Sequence, residues 1–464
     1  MKRKRKVKKM MSDELYYIWL SLACGAGSPA PQRLLGVFET AGDIYSAQKD
    51  ELKEKCNFEI DGEIFERLCD KDTGDCEKIL EFCAKNNVSV LTCGSSLYPK
   101  RLRSIRAFPV VLYYRGRLPD IDDNLCIAMV GTRKMTAYGK HAAYEIAKEL
   151  ASCGAVIVSG MAQGIDAAAH KGCLIANGFT IAVFGCGIDR VYPYENKALM
   201  DKIIEKGLIM TEYVPGSEPK GAHFPVRNRI LSGLCQAVLV VEADNKSGAL
   251  ITAKTALFQG RELYAVPGNI NAPNSRGTNG LLKNQAGIVT EAYDILSEYE
   301  HLYSHRINIE NSRYYNYNKS YYSPSKNTKN LKELKENIEN KKEKYFIGDW
   351  NVSSNAGSDV INNFSNRIKS EGAGVNRSGG KQENRPELPL SEKLSSLKII
   401  LNDAELKIFE IFYAKKDEKF HADDIDNDMS ISEVMNTLTL LEIYGIITSY
   451  PGDYYKVSDS FMNL

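Results

Sequence analysis

The densest chemistry in the chain lies in Phe224-Pro225-Val226-Arg227-Asn228-Arg229, followed by apolar Ile230-Leu231 and the small pair Ser232-Gly233. An aromatic ring, a rigid proline and two arginines two positions apart suit a charged polymer with planar rings, which is nucleic acid. Pro225 lacks an N–H and holds φ near a helical value, so the run predicts a helix whose first residue is Pro225, with Phe224 just outside it. The helix start would aim free N–H groups and a positive dipole end outward, beside the full charges of Arg227 and Arg229. Phe224 is then the stacking platform. The same run reads equally as a hydrophobic staple flanked by solvated arginines.

The elements that must position this run are plain between residues 125 and 292. Apolar strands alternate with helical patterns: Leu125–Val130, helix Ala137–Ser152, Ala155–Val158, helix Ile165–Ala176, Thr180–Phe184 and helix Glu195–Lys206. The series continues with Leu208–Met210, helix Pro225–Leu234, Ala237–Val241, helix Ala249–Gln259 and Glu262–Val266. Strands this continuously apolar are buried on both faces, and their alternation with helices specifies a mostly parallel sheet with right-handed crossovers. The fold class is α/β and Rossmann-like, and ligands of such sheets sit outside the carboxyl ends of the strands.

Four turns fall on that rim: Gly131-Thr132-Arg133, Ser159-Gly160, Gly185-Cys186-Gly187 and Asn245-Lys246-Ser247-Gly248. Each can aim backbone N–H groups at an anion, and together they suggest several phosphates in a row. Mononucleotide signatures are absent. Gly139-Lys140 lies too far from Gly131 for a P-loop and is followed by His141, while Arg190 stands at the third glycine position after Gly185-Cys186-Gly187. His141, His170 and His223 are scattered, His170 is expected on a helix packed against the sheet, and Asp166 and Asp189 are expected to brace turns. No soluble cofactor and no metal are expected, and no Ser-His-Asp or Cys-His grouping is recognisable.

The flanks differ in kind. The start, Lys2-Arg3-Lys4-Arg5-Lys6-Val7-Lys8-Lys9, has no apolar region of a secretory signal, and residues 1–12 are expected to be a disordered basic tail. Residues 13–118 are expected to form a helical module and connecting segment, with Gly25-Ala26-Gly27 between two amphipathic stretches and a strand at Phe108–Tyr114. A glycine turn between short helices can offer N–H groups to DNA phosphates, as in a helix-hairpin-helix, or simply turn the chain. The Rossmann-like domain is expected over 119–300. From 301 to 393 Asn, Lys, Ser, Tyr and Glu dominate, which reads as a disordered linker; Tyr314, Tyr315, Tyr317, Tyr321 and Tyr322 could touch single strands there, and Lys329–Lys344 could form a transient helix. Residues 394–464 pattern as a winged helix: helix Asp403–Tyr413, a second helical unit Ser430–Tyr444, and strands Ile446–Ser449 and Tyr454–Val457. The acidity of the second unit makes it a poor major-groove reader and favours protein contact.

Among 464 residues, formal net charge is +1, so an anionic partner must be met by a local basic patch. The eleven cysteines include no C-x-x-C pair, which excludes zinc and dithiol signatures and fits a reducing cytoplasm. No stretch approaches the ~20 apolar residues of a membrane span.

Taken together the rim motifs resemble the DNA-processing protein A (DprA/Smf) family. The residues that carry the likeness are Val130–Arg133, Ser159–His170, Ala182–Asp189 with Tyr192-Pro193, Phe224–Arg229, Ser247–Ala253 and Ala265–Gly268. The N-terminal module is similar to that family's SAM-like or helix-hairpin-helix-like segment, and the C-terminus to its winged helix. Gln163 stands where the family usually has arginine. The resemblance implies a homodimeric single-stranded-DNA-binding protein that protects incoming DNA in natural transformation and loads the RecA recombinase, and it implies no catalysis. By position it implies that Arg133 grips a phosphate, that Lys197 and Lys220 line the groove, that Phe224 stacks on a base, and that Arg227 and Arg229 hold the backbone while Asn228 braces the loop or bonds to the strand. Gly131, Thr132, Ser159, Gly160, Ser247 and Gly248 are the expected phosphate-facing turn residues. Two alternatives stand beside it. One is a nucleotide-cleaving enzyme of the same fold, for which Glu242 is the one candidate carboxylate; the other is a transcription factor acting through the winged helix.

Overall fold

The structure, a computed structural model, describes residues 2–56, 60–315 and, between 403 and 458, residues 403–414, 419–421, 425, 434, 437–438, 441–442, 446–450 and 454–458. Six helices open the chain: α1 (Lys2–Cys24), α2 (Ala30–Leu35), α3 (Ala41–Ser46), α4 (Lys49–Lys55), α5 (Gly62–Cys69) and α6 (Gly74–Lys85). Local chemistry starts several of them. Thr40 and Asp43 form a reciprocal capping box on α3, and Asp61 accepts from the N–H groups of Glu63 and Ile64 at the start of α5. The basic run expected as a disordered tail is instead continuous with α1, because lysine and arginine are good helix formers and an ordered helix extends residue by residue once nucleated.

Strand β1 (Ser89–Thr92), helix α7 (Lys100–Arg103) and strand β2 (Val111–Gly116) lead into the alternating segment. That segment runs β3 (Cys126–Val130), α8 (Ala137–Ser152), β4 (Val156–Ser159), α9 (Ile165–Ile175), β5 (Thr180–Val183), α10 (Lys197–Lys206), β6 (Leu208–Thr211), α11 (His223–Gly233) and β7 (Ala237–Val240). It closes with α12 (Ala249–Phe258), β8 (Glu262–Ala265), α13 (Arg276–Lys283), β9 (Gly287–Ile288) and α14 (Tyr293–Tyr303). Among the described residues these strands make one nine-stranded sheet in the order β1-β2-β6-β5-β4-β3-β7-β8-β9. All pairings from β6 to β9 are parallel, whereas β1–β2 and β2–β6 are antiparallel. The Rossmann-like, mostly parallel architecture is therefore as expected.

The boundary expected near residue 118 is not a break in the sheet. β2 pairs with β6 through Tyr113–Thr211 and Tyr114–Met210, so the segment before that boundary supplies two strands. Each central strand serves two cores because successive side chains alternate faces. Cys126, Ala128 and Val130 of β3 join the core shared with α1, α10, α11 and α12. Ile127 and Met129 join the core built with α8, α9 and α14. Nine of the eleven cysteines are buried as free thiols, filling these cores as small apolar groups.

Order also reaches further than the linker expected from residue 301. Ile307 is buried in the second core, Arg313 donates from Nε to Glu149 at 3.0 Å, and Tyr314 stacks on Tyr293 at 4.3 Å. Those non-local anchors outweigh a polar composition. Residues 316–402 lie outside the described residues, and with them Tyr317, Tyr321, Tyr322 and Lys329–Lys344. At the C-terminus, helix α15 (Asp403–Ala414) accompanies a three-stranded antiparallel sheet of β10 (Phe420–His421), β11 (Ile447–Tyr450) and β12 (Tyr454–Val457), ordered β10-β12-β11. The expected hairpin is present; most of the second helical unit lies outside the described residues.

Candidate nucleic-acid interface

Helix α11 begins two residues earlier than the proline suggests. Ala222 precedes it, His223 and Phe224 are its first two residues, and Pro225 is the third. Proline is tolerated there because the first four N–H groups of a helix have no intrahelical acceptor. Phe224 is thus in the helix rather than outside it, with its ring over the backbone of Gly185. The Tyr192 ring lies 5.5 Å away at 35°, and the guanidinium carbon of Arg133 is 5.2 Å from the Phe224 centroid. Three segments far apart in sequence, the ends of β3 and β5 and the start of α11, therefore converge on one half-buried ring. Arg133 and Lys134 after β3, Lys220 before α11 and Lys246 after β7 are all exposed cations. Tyr192, 41% exposed, escaped the sequence reading as a stacking group; its signal was an aromatic-proline pair following the glycine loop.

Beneath this surface the two arginines of the run have a different task. Arg227 is 4% exposed; Nη1 donates to the Gly160 carbonyl at 2.7 Å and to the Val183 carbonyl, and Nε donates to Asn228 Oδ1 at 3.1 Å. It ties the carboxyl ends of β4 and β5 to α11. Arg229 is 1% exposed and donates from Nη2 to both carboxylate oxygens of Glu212 at 2.7 Å. Neither guanidinium reaches solvent, so their expected role in holding a DNA backbone is corrected to bracing. Residues i and i+2 of a helix do not share a face, so the pair could not both point at one strand. Asn228 braces Arg227.

The Ser159-Gly160 turn does cradle an anion, but the anion is internal. Gly160 and Ala162 donate their N–H groups to Asp166 Oδ2 at 3.1 and 3.3 Å. Burial raises the pKa of Asp166, opposed by the charge of Arg227 and by these two N–H groups. Ser159 is fully buried, its hydroxyl donating to the Met129 carbonyl at 2.6 Å. A Cβ on Gly160 would lie 2.5 Å from both terminal nitrogens of Arg227, so only glycine admits the guanidinium. Ser159 and Gly160 are both buried and turned to internal partners, so the expectation that they contact phosphate is corrected.

At the switch point between β3 and β7, where a nucleotide crevice would open, the chain is closed on itself. Thr132 donates its N–H to the Glu242 carbonyl at 2.7 Å, and the Glu242 carboxylate accepts from Thr136 N at 2.8 Å and Oγ1 at 2.6 Å, at the start of α8. A Cβ on Gly131 would meet the Glu242 carbonyl at 2.8 Å. Glu242, 2% exposed, is thus a helix anchor, not a carboxylate poised over a ribose. Ser247 Oγ accepts from Ala249 N at 3.3 Å, and Gly248 is exposed at the start of α12. Lys197 pairs with Asp201 at 3.2 Å on the surface of α10. His170 is fully buried with Nδ1 2.7 Å from Thr180 Oγ1, and Asp189 accepts from Gly216 N at 2.7 Å, both as expected. In the Gly25-Ala26-Gly27 turn Gly25 and Ala26 are exposed, whereas Gly27 N is turned inward and donates to Glu212 Oε1 at 3.3 Å.

Residues 89–300 match the family described as DNA recombination-mediator protein A. Over 294 residues the chain is 37% identical to Protein Smf of Synechocystis, an alignment covering 62% of this chain and 72% of that protein. The chain belongs to the DprA/Smf family. It is also 39% identical over 221 residues to DNA processing protein DprA of Bacillus subtilis, covering 48% of this chain and 74% of the relative. The X-ray structure of DprA from Streptococcus pneumoniae superposes with a TM-score of 0.54 at 34% identity, over 61% of this chain and 97% of that one. The DprA/Smf match begins at the first residue of β1, in agreement with a sheet that continues across residue 118.

Proposed function

We propose that the chain binds single-stranded DNA across the carboxyl ends of β3, β5 and β7, protects it, and loads the RecA recombinase onto it during natural transformation, acting as a homodimer. The observation that carries the reading is the convergence of Phe224, Tyr192 and Arg133, an aromatic platform with a guanidinium against it, with exposed Lys134 and Lys220 in the segments that supply Arg133 and Phe224. Base stacking on aromatic rings is tolerant of sequence and requires an unpaired strand, and flanking cations track its phosphates. The family's description as a recombination mediator supports the RecA step. Anisotropy titrations of the full chain with single-stranded and duplex oligonucleotides at two salt concentrations test the first part. Tighter single-strand binding that weakens with salt is expected; duplex preference would reject it. Faster RecA filament formation on single strands coated with single-strand-binding protein is expected for the second part, and an unchanged rate would reject it.

A further inference from the structure

Behind α11, on the side away from Phe224, two cavities of about 270 and 150 Å³ share Arg106 and Arg229. The larger is walled by Gly27, Ser28 and Val226 and, from the C-terminal module, by Glu442. Arg229 is 1% exposed, and although Nη2 is spent on Glu212, its Nε and Nη1 have no hydrogen-bond acceptor among the described residues. Arg106 makes no hydrogen bond or ion pair there either. A buried donor left unmade costs stability, more so when charged, so the two orphaned donors of Arg229 facing this cavity are an unusual outlay, and the half-buried Arg106 adds a second guanidinium to the same wall. Burial pushes the Arg106 guanidinium down, and the charge of Arg33 adds to that while Glu442 opposes it. Arginine stays protonated regardless, and its planar fork matches the oxygens of a phosphate. Glu442 acts on Arg106 only through its charge, without a close ion pair, and its Oε1 accepts from Ser449 N at 3.3 Å. The cavity is several times the ~30 Å³ of one water and is large enough for a small oxoanion.

We propose that this cavity is a binding site for the phosphate group of a small molecule, held by Arg106 and the unpaired edge of Arg229. The site is separate from the DNA-binding reading and does not depend on it. Bound phosphate would join the N-terminal turn, α11 and the C-terminal module through one ion.

The test uses the full chain in phosphate-free buffer at constant ionic strength, titrated with sodium phosphate or AMP and followed by calorimetry and by Tm. Saturable binding of one phosphate per chain at roughly millimolar or lower concentration is expected, with Tm rising as ligand exceeds Kd. Arg106→Gln should weaken it about tenfold while the Tm of the ligand-free chain, and hence folding, is retained. Glu442→Gln should tighten it several-fold by removing a like charge. Arg133→Gln should leave it unchanged. Stronger binding of AMP identifies a nucleotide as the source and stronger binding of inorganic phosphate identifies the free ion; either supports the site. Absence of saturable binding, unchanged affinity in Arg106→Gln or Glu442→Gln, or loss in Arg133→Gln overturns it.

Discussion

At the scale of single residues, the rim divides into groups that face solvent and groups that hold the first in place. Phe224 and Arg133 are of the first kind. Phe224→Ala should cost ~1–3 kcal/mol of single-strand affinity, read by anisotropy; wild-type affinity would remove the stacking role. Arg133→Gln should reduce the slope of log K against log salt by ~0.7 on single strands. Arg227→Gln should behave differently, because the Gly160 and Val183 carbonyls lose a buried donor. Unfolding in urea should show a loss of ~1–3 kcal/mol per unsatisfied carbonyl, with no specific change in salt slope. His170 adds a pH dependence. Burial first, and the charge of Arg227 second, hold its pKa at about 3 against an ordinary 6.5. Between those values the unfolded chain binds a proton that the folded chain refuses, so stability falls as pH drops from about 6.5 towards about 3, by at most ~1.4 kcal/mol per unit. Asp166, raised by burial, acts in the opposite sense just above 3.8, since the folded chain protonates it first. The difference in stability between wild type and His170→Asn isolates the histidine; a difference that is constant with pH across this window would contradict the assignment.

Elements explain why the open positions of a Rossmann-like rim are not all available. β3 and β7 are joined by Thr132 N to the Glu242 carbonyl, and the Glu242 side chain is committed to the start of α8. The usual crevice is closed, and the accessible surface moves to the β4–β5 side, where α11 carries Phe224 over Gly185. Gly131 serves this closure: its Cβ would fall 2.5 Å from Ile165 Cγ1 as well as against Glu242. Gly131→Ala should therefore lower stability by ~1–3 kcal/mol in a urea melt. A variant of wild-type stability with weakened DNA binding would restore the phosphate-facing role expected from the turn.

For the whole molecule, the first core runs from α1 through the sheet to α10 and α12 without interruption. Val111, Leu112 and Tyr113 of β2 are fully buried in it. A chain starting at residue 119 would lose both antiparallel strands and uncover the edge of β6, an open pairing edge beside exposed apolar surface. Such a truncation should be insoluble or melt without cooperativity, whereas a soluble fragment with a sharp transition would show that the boundary read from the sequence is a true domain limit. Among the described residues no helix is long and apolar enough to cross a membrane.

The order of strands and helices was written in the chain because it depends on local pattern. Helix α8 runs from Ala137 to Ser152 as its spacing predicts, capped by Thr136, and the two-faced apolar strands announced a buried parallel sheet. The likeness that placed the chain in its family rests on those same contiguous motifs. What each charged or glycine residue faces depends instead on neighbours brought from elsewhere. Sequence could not show that Arg229 meets Glu212, that Asp166 fills the Gly160 turn, that Arg106 and Arg229 share a cavity, or that Ile307 and Arg313 extend order past residue 301. Periodicity records which face of an element is apolar, whereas the burial of a charge is settled by a counter-charge or carbonyl from another segment, which only the folded chain supplies.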